Sequence, residues 1–247
     1  MRRDPEARAE MLHRRGLRRI AIEWRYAQLG TLDQELSASI ARGIVATALW
    51  VPISLVPLND VHLDILFGFI ERNELRLALW TTLMHPHDID EWVESKKLDL
   101  TCEAVSRLAD RASKLGCSVA LYNHDGWFAQ PSSLCKIVAT ARRPNVGIVY
   151  NFHHAHADAP EFRSHVVSML SSLKAVNLGA AKAGAPAAFG EGEHDFAMLS
   201  TLLEMGYCGP LGLTCYDAKA DAADTLTRSL AGLANFRRSL EKRQTPS

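Results

Sequence analysis

Residues 145–179 read NVGIVYNFHHAHADAPEFRSHVVSMLSSLKAVNLG. The first ten, 145–154, carry an apolar run rich in β-branched residues from Val146 to Tyr150 and end in Asn151, His153 and His154. Residues 160–172 then carry a helical pattern, with Pro160 at its first turn. Residues 173–179, LKAVNLG, return to a short apolar strand that also ends in a polar residue, Asn177. A strand that is apolar on both faces, followed by a helix and a second such strand, is the unit of a parallel sheet covered on both sides.

The same unit repeats in both directions. Upstream, strands are expected at 18–25, 44–53, 75–83 and 117–127, the last running into a loop. Helices are expected after Leu32 with Gly43 as C-cap, at 58–73, and at 99–115 ending at Gly116. Another is opened by serine in SSLCKIVATA. Downstream, a Gly/Ala-rich loop at 179–192 leads to the helix HDFAMLSTLLEMG, a last strand at 211–216 and a terminal helix at 221–242. Seven strands are legible. The 84–116 connection has room for an eighth, but HPHDIDEWVESKKLDLT is a poor strand. Right-handed βα units repeated seven or eight times close into a TIM-type α/β barrel, here an irregular one. The 247 residues match one such domain, 1–247, with 1–17 as a peripheral helix or tail. A doubly wound open sheet is the alternative arrangement of the same units.

Composition narrows the function classes. With 28 basic and 28 acidic residues, nothing points to nucleic acid or an anionic membrane. No apolar run reaches the ~18–20 residues that cross a bilayer. The arginine-rich start has no apolar centre and is not a secretory signal. Five irregularly spaced cysteines without a CxxC read as reduced thiols of a cytoplasmic protein.

Polar residues gather where strands stop: His124 with Asp125, Asn151 with His153 and His154, Asn177, and Thr214 with Asp217. In a parallel barrel these ends share one face, the face on which active sites form. Trp24, Trp50 and Trp80 mark the ends of the first three strands and would make an aromatic wall for a sugar or polyol. If the strand continued, side-chain alternation would keep His153 and His154 from facing the same way, so one is buried or tied to backbone. His156 is expected in an exposed loop. Glu23, inside an apolar strand, either faces the barrel as a base with a burial-raised pKa or pairs outward with Arg25 or Arg19. Glu191 and Glu193 are expected to cap the following helix.

ALYNHDGWF (120–128), VGIVYNFHHAH (146–156), AVNLG (175–179) and GEGEHDFAMLSTLLEMGYCGPLGLTCY (190–216) together resemble the xylose-isomerase-like barrels. This group contains sugar and sugar-phosphate isomerases and epimerases. The resemblance implies a divalent metal (Mn, Mg, Co or Zn) at the barrel mouth, held by two glutamates, an aspartate and a histidine. Carried over, the first glutamate falls on Trp127, or on Tyr122 in another register. The aspartate falls on Asn151, the histidine on Asn177 and the closing glutamate on Thr214. The histidine of the family's Asp-x-x-His is kept as His154. Four neutral side chains lack the charge that normally holds such a cation, so no residue is assigned to metal.

The resulting expectation is a sugar or sugar-phosphate isomerase or epimerase-like protein. His154 and His124 are its catalytic residues; Asn123, Trp127, Asn151, Asn177, Thr214, Trp50 and Trp80 bind substrate. A site rebuilt around His124, His153 or His154 with Asp125 or Asp217 stays open, as does a non-catalytic barrel that binds a sugar or polyol. The partner is a small molecule, and assembly into a homo-oligomer is compatible with the sequence.

Overall fold

The computed structural model describes residues 3–23, 30–55, 61–84, 89–124, 126–215 and 220–244. Trp24, Arg25, Asp125 and Asp217 lie outside the described residues.

The elements, in chain order, are α1 (Pro5–Arg14), β1 (Arg19–Glu23), α2 (Leu32–Ile40), β2 (Val45–Ser54), α3 (Val61–Arg72), β3 (Ala78–Met84) and α4 (Glu94–Lys114). They continue with β4 (Ser118–Tyr122), α5 (Gly126–Ala129), α6 (Pro131–Ala141), β5 (Val146–Asn151), α7 (Phe162–Met169) and β6 (Leu173–Asn177). Last come β7 (Ala180–Lys182), β8 (Ala185–Ala187), α8 (Asp195–Glu204), β9 (Leu211–Gly212) and α9 (Ala222–Gln244). Seven strands form one sheet in the order β1-β2-β3-β4-β5-β6-β9, and the pairings β1–β2, β2–β3, β3–β4 and β6–β9 are parallel. Each strand lies beside the next in sequence. A doubly wound sheet would reverse direction partway, so this order is that of a barrel.

The residues fall into two compact units. One comprises 2–122 and 133–148, the other 123–132 and 149–247.

In the first unit the two faces of the sheet differ. Leu49, Val51, Ile53, Leu79, Thr81 and Leu83 are buried, as the period-two alternation of a strand requires. Glu23, Trp50 and Trp80 sit in register across β1, β2 and β3 and share the other face. There Trp80 lies 6.4 Å from the Tyr122 ring. The tryptophans are mid-strand, not at strand ends as expected, because β2 and β3 each run four residues further, to Ser54 and Met84. Glu23 is exposed, so it is not the buried carboxylate that one of its two readings required. The N-terminal segment is a docked helix. Asp4 caps it by accepting from Ala7 N at 2.7 Å, and Ala9 packs with Ala38 and Ile44. Arg14 and Arg42 bracket Glu10 at 2.6 and 2.8 Å and lower its pKa. Where an eighth strand had room, residues 89–91 are a 3-10 turn and α4 starts at Glu94, five residues before the expected 99.

In the second unit, β5 stops at Asn151 and residues 152–161 wind into a 3-10 helix, so the strand expected to reach 154 is three residues shorter. The expected loop at 179–192 contains the hairpin β7–β8. Its two-residue turn, Ala183-Gly184, has positive φ at both positions (50° and 74°), the geometry of a type I′ turn. The last strand spans only 211–212, not 211–216. Helix α9 buries Thr225, Ser229, Gly232 and Phe236, spaced four, three and four apart on one face.

Burial also sets thiol reactivity. It pushes Cys215 up to about 11 and raises Cys102, whereas Cys208 is exposed. At pH 8 about one Cys215 thiol in a thousand would be ionised, and the thiolate is the reactive form. In peptide-mapped alkylation at pH 8, Cys208 is expected to label first. The Cys215 rate should climb as pH rises toward 11, since a raised pKa delays thiolate formation.

Candidate active site at the ends of β4, β5 and β6

Asn123 follows the last residue of β4, while Asn151 and Asn177 are the last residues of β5 and β6. All three are buried, at 1%, 1% and 4% exposure. A buried amide side chain must find partners or pay for its desolvation. Asn123 finds them on the Asn151 backbone. Its Oδ1 accepts from Asn151 N at 2.7 Å and its Nδ2 donates to Asn151 O at 3.0 Å. Asn151 in turn caps the 3-10 helix, its Oδ1 accepting from His153 N at 3.0 Å.

This cap explains why β5 ends where it does and how the three histidines separate. In a 3-10 helix residues three apart eclipse one another, so His153 and His156 share a side and His154 points elsewhere. The His154 ring lies 4.8 Å from that of His124, and 5.1 Å from that of His153. His124 is exposed and His154 half-buried. His153 is tied to backbone as expected, its Nδ1 3.1 Å from Ala180 O.

His156, expected in solvent, is 9% exposed. Its Nε2 accepts from Ala181 N at 3.2 Å and lies 3.3 Å from Asp195 Oδ1. The 3-10 winding turns it inward, which a loop reading of the sequence could not anticipate. Asp195 is 1% exposed and accepts from Gly190 N at 2.7 Å and Gly192 N at 3.0 Å. The two amides of the Gly-x-Gly therefore serve the chain's own carboxylate. Glu191 and Glu193 do not cap α8. Glu191 pairs with Arg228 at 2.6 Å, and Glu193 accepts from Ala183 N at 3.4 Å. Asp195 takes the nearby amides because it sits on the first turn of α8, within reach of both.

The asparagines also explain two glycines. A Cβ on Gly179 would overlap Asn151 Oδ1 and lie 2.9 Å from His153 Cβ, and one on Gly212 would lie 2.7 Å from Asn177 Oδ1. Each amide lies over the bare backbone of a neighbouring segment. Gly179→Ala is therefore expected to cost about 1–3 kcal/mol, as overpacking does, measured by urea unfolding.

Of the remaining expected residues, Trp127 is half-buried on α5 with its ring 5.1 Å from Phe128. Thr214 is half-buried two residues beyond β9. Trp50 and Trp80 belong to the first unit, half-exposed on β2 and β3.

Trp127, Asn151, Asn177 and Thr214, the described residues at the positions carried over for metal ligands, are neutral and lack the charge that holds a divalent cation. Asn151 Oδ1, at the position where the resemblance places an aspartate, accepts from the His153 amide and carries no charge. Among the described residues no group of three or more His, Cys, Asp or Glu side chains could hold a metal ion. No described helix is long and apolar enough to cross a membrane.

Comparison with solved structures places the fold. The chain superposes on 3-keto-D-glucoside 4-epimerase from E. coli with a TM-score of 0.73 at 13% identity, covering 96% of this chain and 95% of that one. The IolI protein with a bound zinc atom gives 0.75 at 16% identity, over 95% and 93%. D-psicose 3-epimerase from Clostridium cellulolyticum H10, solved with D-tagatose, gives 0.70 at 15% identity, over 96% and 94%. At such identities the likeness concerns the fold alone. Among curated proteins no relative matches at a significant level. The family model of the xylose isomerase-like TIM barrels matches residues 73–236, reaching well upstream of the motifs that carried the resemblance. With two-thirds of its length under that match, the chain belongs to the xylose isomerase-like TIM barrel family.

Proposed function

We propose that this protein is a sugar or sugar-phosphate isomerase or epimerase that moves a proton at the carbon beside a carbonyl, with His154 and His124 as its acid–base pair. The observation that carries this reading is the pair itself: two imidazoles with ring centres 4.8 Å apart, both next to strand ends. Imidazole can both accept and return a proton near neutral pH. One neutral ring removes the proton from carbon and leaves an enediolate. The other, protonated, returns a proton to the neighbouring carbon. General acid–base catalysis of this kind contributes roughly 10²–10⁴-fold. Membership of the family and a fold shared with two sugar epimerases support the substrate class. The substrate is therefore a polyhydroxylated carbonyl compound of low molecular weight. Trp127, Asn177 and Thr214 are proposed as its contacts near the histidines. The half-exposed faces of Trp50 and Trp80 are of the kind that stack on sugar rings.

A second reading, a barrel that binds a sugar without turning it over, is favoured by one observation. The positions where relatives carry charged ligands are neutral here, and the Asn151 carboxamide oxygen is already engaged. One experiment separates the two. The protein is incubated with a panel of ketoses and keto-glycosides in heavy water, and deuterium at the α-carbon is followed by NMR. Deuterium incorporation supports the isomerase. A sugar-induced rise in Tm without incorporation supports the binder and overturns the first reading.

A further inference from the structure

His153 and His156 converge on a single peptide group. Ala180 O and Ala181 N belong to the same amide, at the start of β7. His153 Nδ1 lies 3.1 Å from its oxygen, and its N–H points to His156 Nε2 at 3.2 Å. The convergence follows from the 3-10 winding, which eclipses residues three apart. The same hairpin strand is held from its other side, since Ala181 O accepts from Glu193 N at 3.2 Å. Asp195, buried and anchored by two glycine amides, faces the same nitrogen, its Oδ1 3.3 Å from His156 Nε2.

The chemistry of the two hydrogen bonds assigns the protons. A carbonyl oxygen only accepts, so the His153 Nδ1 that meets it carries hydrogen. A backbone N–H only donates, so the His156 Nε2 that meets it carries a lone pair. When one ring nitrogen is fixed in this way, the other nitrogen of a neutral ring is fixed too. His153 then presents Nε2 as a lone pair, and His156 holds its proton on Nδ1, a buried nitrogen that, like Asp195 Oδ1, has no hydrogen-bond partner among the described residues. Both are the tautomer that free neutral histidine favours less. The two bonds also polarise one amide in the same direction, so each strengthens the other.

We infer that the Ala180–Ala181 peptide, clamped between His153 and His156, is a positioning device for the site. It locks His153 as the Nδ1–H tautomer and fixes the turn that carries His154 beside His124. His156 need not touch substrate; it is a positioning residue acting through the peptide and His153. The link to catalysis rests on the function proposed above, whereas the tautomers do not.

The test uses the full chain labelled with 15N at histidine, at a pH where the rings are neutral. Long-range 15N–1H correlation spectra read the tautomer of each ring. His153 and His156 are both expected as Nδ1–H. A wild-type His153 carrying its proton on Nε2 overturns the inference. So does a His156 carrying its proton on Nε2, which would mean that the ring serves Asp195 Oδ1, 3.3 Å away, and not the peptide. Two variants extend the measurement. His156→Gln keeps an acceptor for the Ala181 amide, and His156→Leu has none. The Gln variant is expected to retain the His153 tautomer and most of the isotope exchange. The Leu variant is expected to lose the defined tautomer and to lower kcat roughly 10–100-fold with KM little changed, the usual size of such outer effects. A Leu variant that matches wild type in both readouts overturns the inference. Should no protein exchange isotope while the tautomers are as assigned, the proposed function fails and the clamp stands. The wild-type spectrum needs no variant to fold.

Discussion

Replacing His154 with alanine is expected to lower deuterium incorporation into substrate roughly 10²–10⁴-fold, the contribution of a positioned general acid or base. The effect should fall on kcat more than on KM, because the imidazole is proposed to act on the proton being moved. The His154 ring sits 4.8 Å from His124 and is held there indirectly, through the Asn151 cap on the 3-10 helix. The fold should survive the change, since His154 is half-buried and the cap uses Asn151 and the His153 amide. His124→Ala should show a loss of the same order if the two rings share the work. Single-turnover exchange in heavy water, with a thermal melt of each variant, checks both points. Undiminished exchange by the His154→Ala protein would sink the histidine mechanism.

A large stability effect is expected at Gly232, and its sign is the informative part. An alanine in place of a helical glycine ordinarily stabilises by up to about 1 kcal/mol, through backbone entropy. Gly68, inside α3 with nothing within 4 Å of a built Cβ, should follow that rule. Gly232 should reverse it. A Cβ there would overlap Phe189 O and lie 2.8 Å from the Phe189 carbonyl carbon and 3.2 Å from Gly190 Cα. These are backbone atoms and cannot swing aside like a side-chain tip. One turn earlier, Ser229 Oγ accepts from Phe189 N at 3.1 Å, so the helix meets the segment 189–190 at two points. Gly232→Ala must push α9 away from that segment or break the Ser229 bond. The expected cost is about 1–3 kcal/mol, the usual range for overpacking. Urea unfolding of Gly68→Ala and Gly232→Ala side by side should show midpoints moving in opposite directions. A rise in midpoint for Gly232→Ala would mean that α9 does not pack as described.

The displaced segment matters beyond stability. Residues 189–192 hold the amides that anchor Asp195, and Asp195 stands beside His156. A Gly232→Ala protein that still folds is therefore expected to lose isotope exchange as well. That loss would travel by packing and not by any contact of α9 with substrate.

The strand–helix rhythm was legible in the residues because both its causes are local. Apolar β-branched runs and helical periodicity are properties of short windows, and the turn glycines Gly43 and Gly116 carry their own backbone preference. The histidines and asparagines at strand ends could be picked out for the same reason, since a polar residue that closes an apolar run marks itself. The motif at 190–196 was legible as a family mark but not as a mechanism. Its real arrangement, glycine amides turned onto Asp195, depends on where α8 begins. Asn151 was read by what it lacks, a carboxylate, while its work as a helix cap depends on the chain turning at Phe152.

Composition and spacing alone therefore determined that this is a parallel α/β chain with polar residues gathered where its strands stop, while the choice of a barrel over a doubly wound sheet waited for the strand order. Tertiary structure decided the rest. Whether His156 meets solvent or a buried carboxylate, and which glycine must lack a Cβ, are matters of what lies across from each residue in space. Sequence constrains such neighbours only through the whole fold, because the partners of His156 and Gly232 stand 25 to 43 residues away along the chain. No local window contains them.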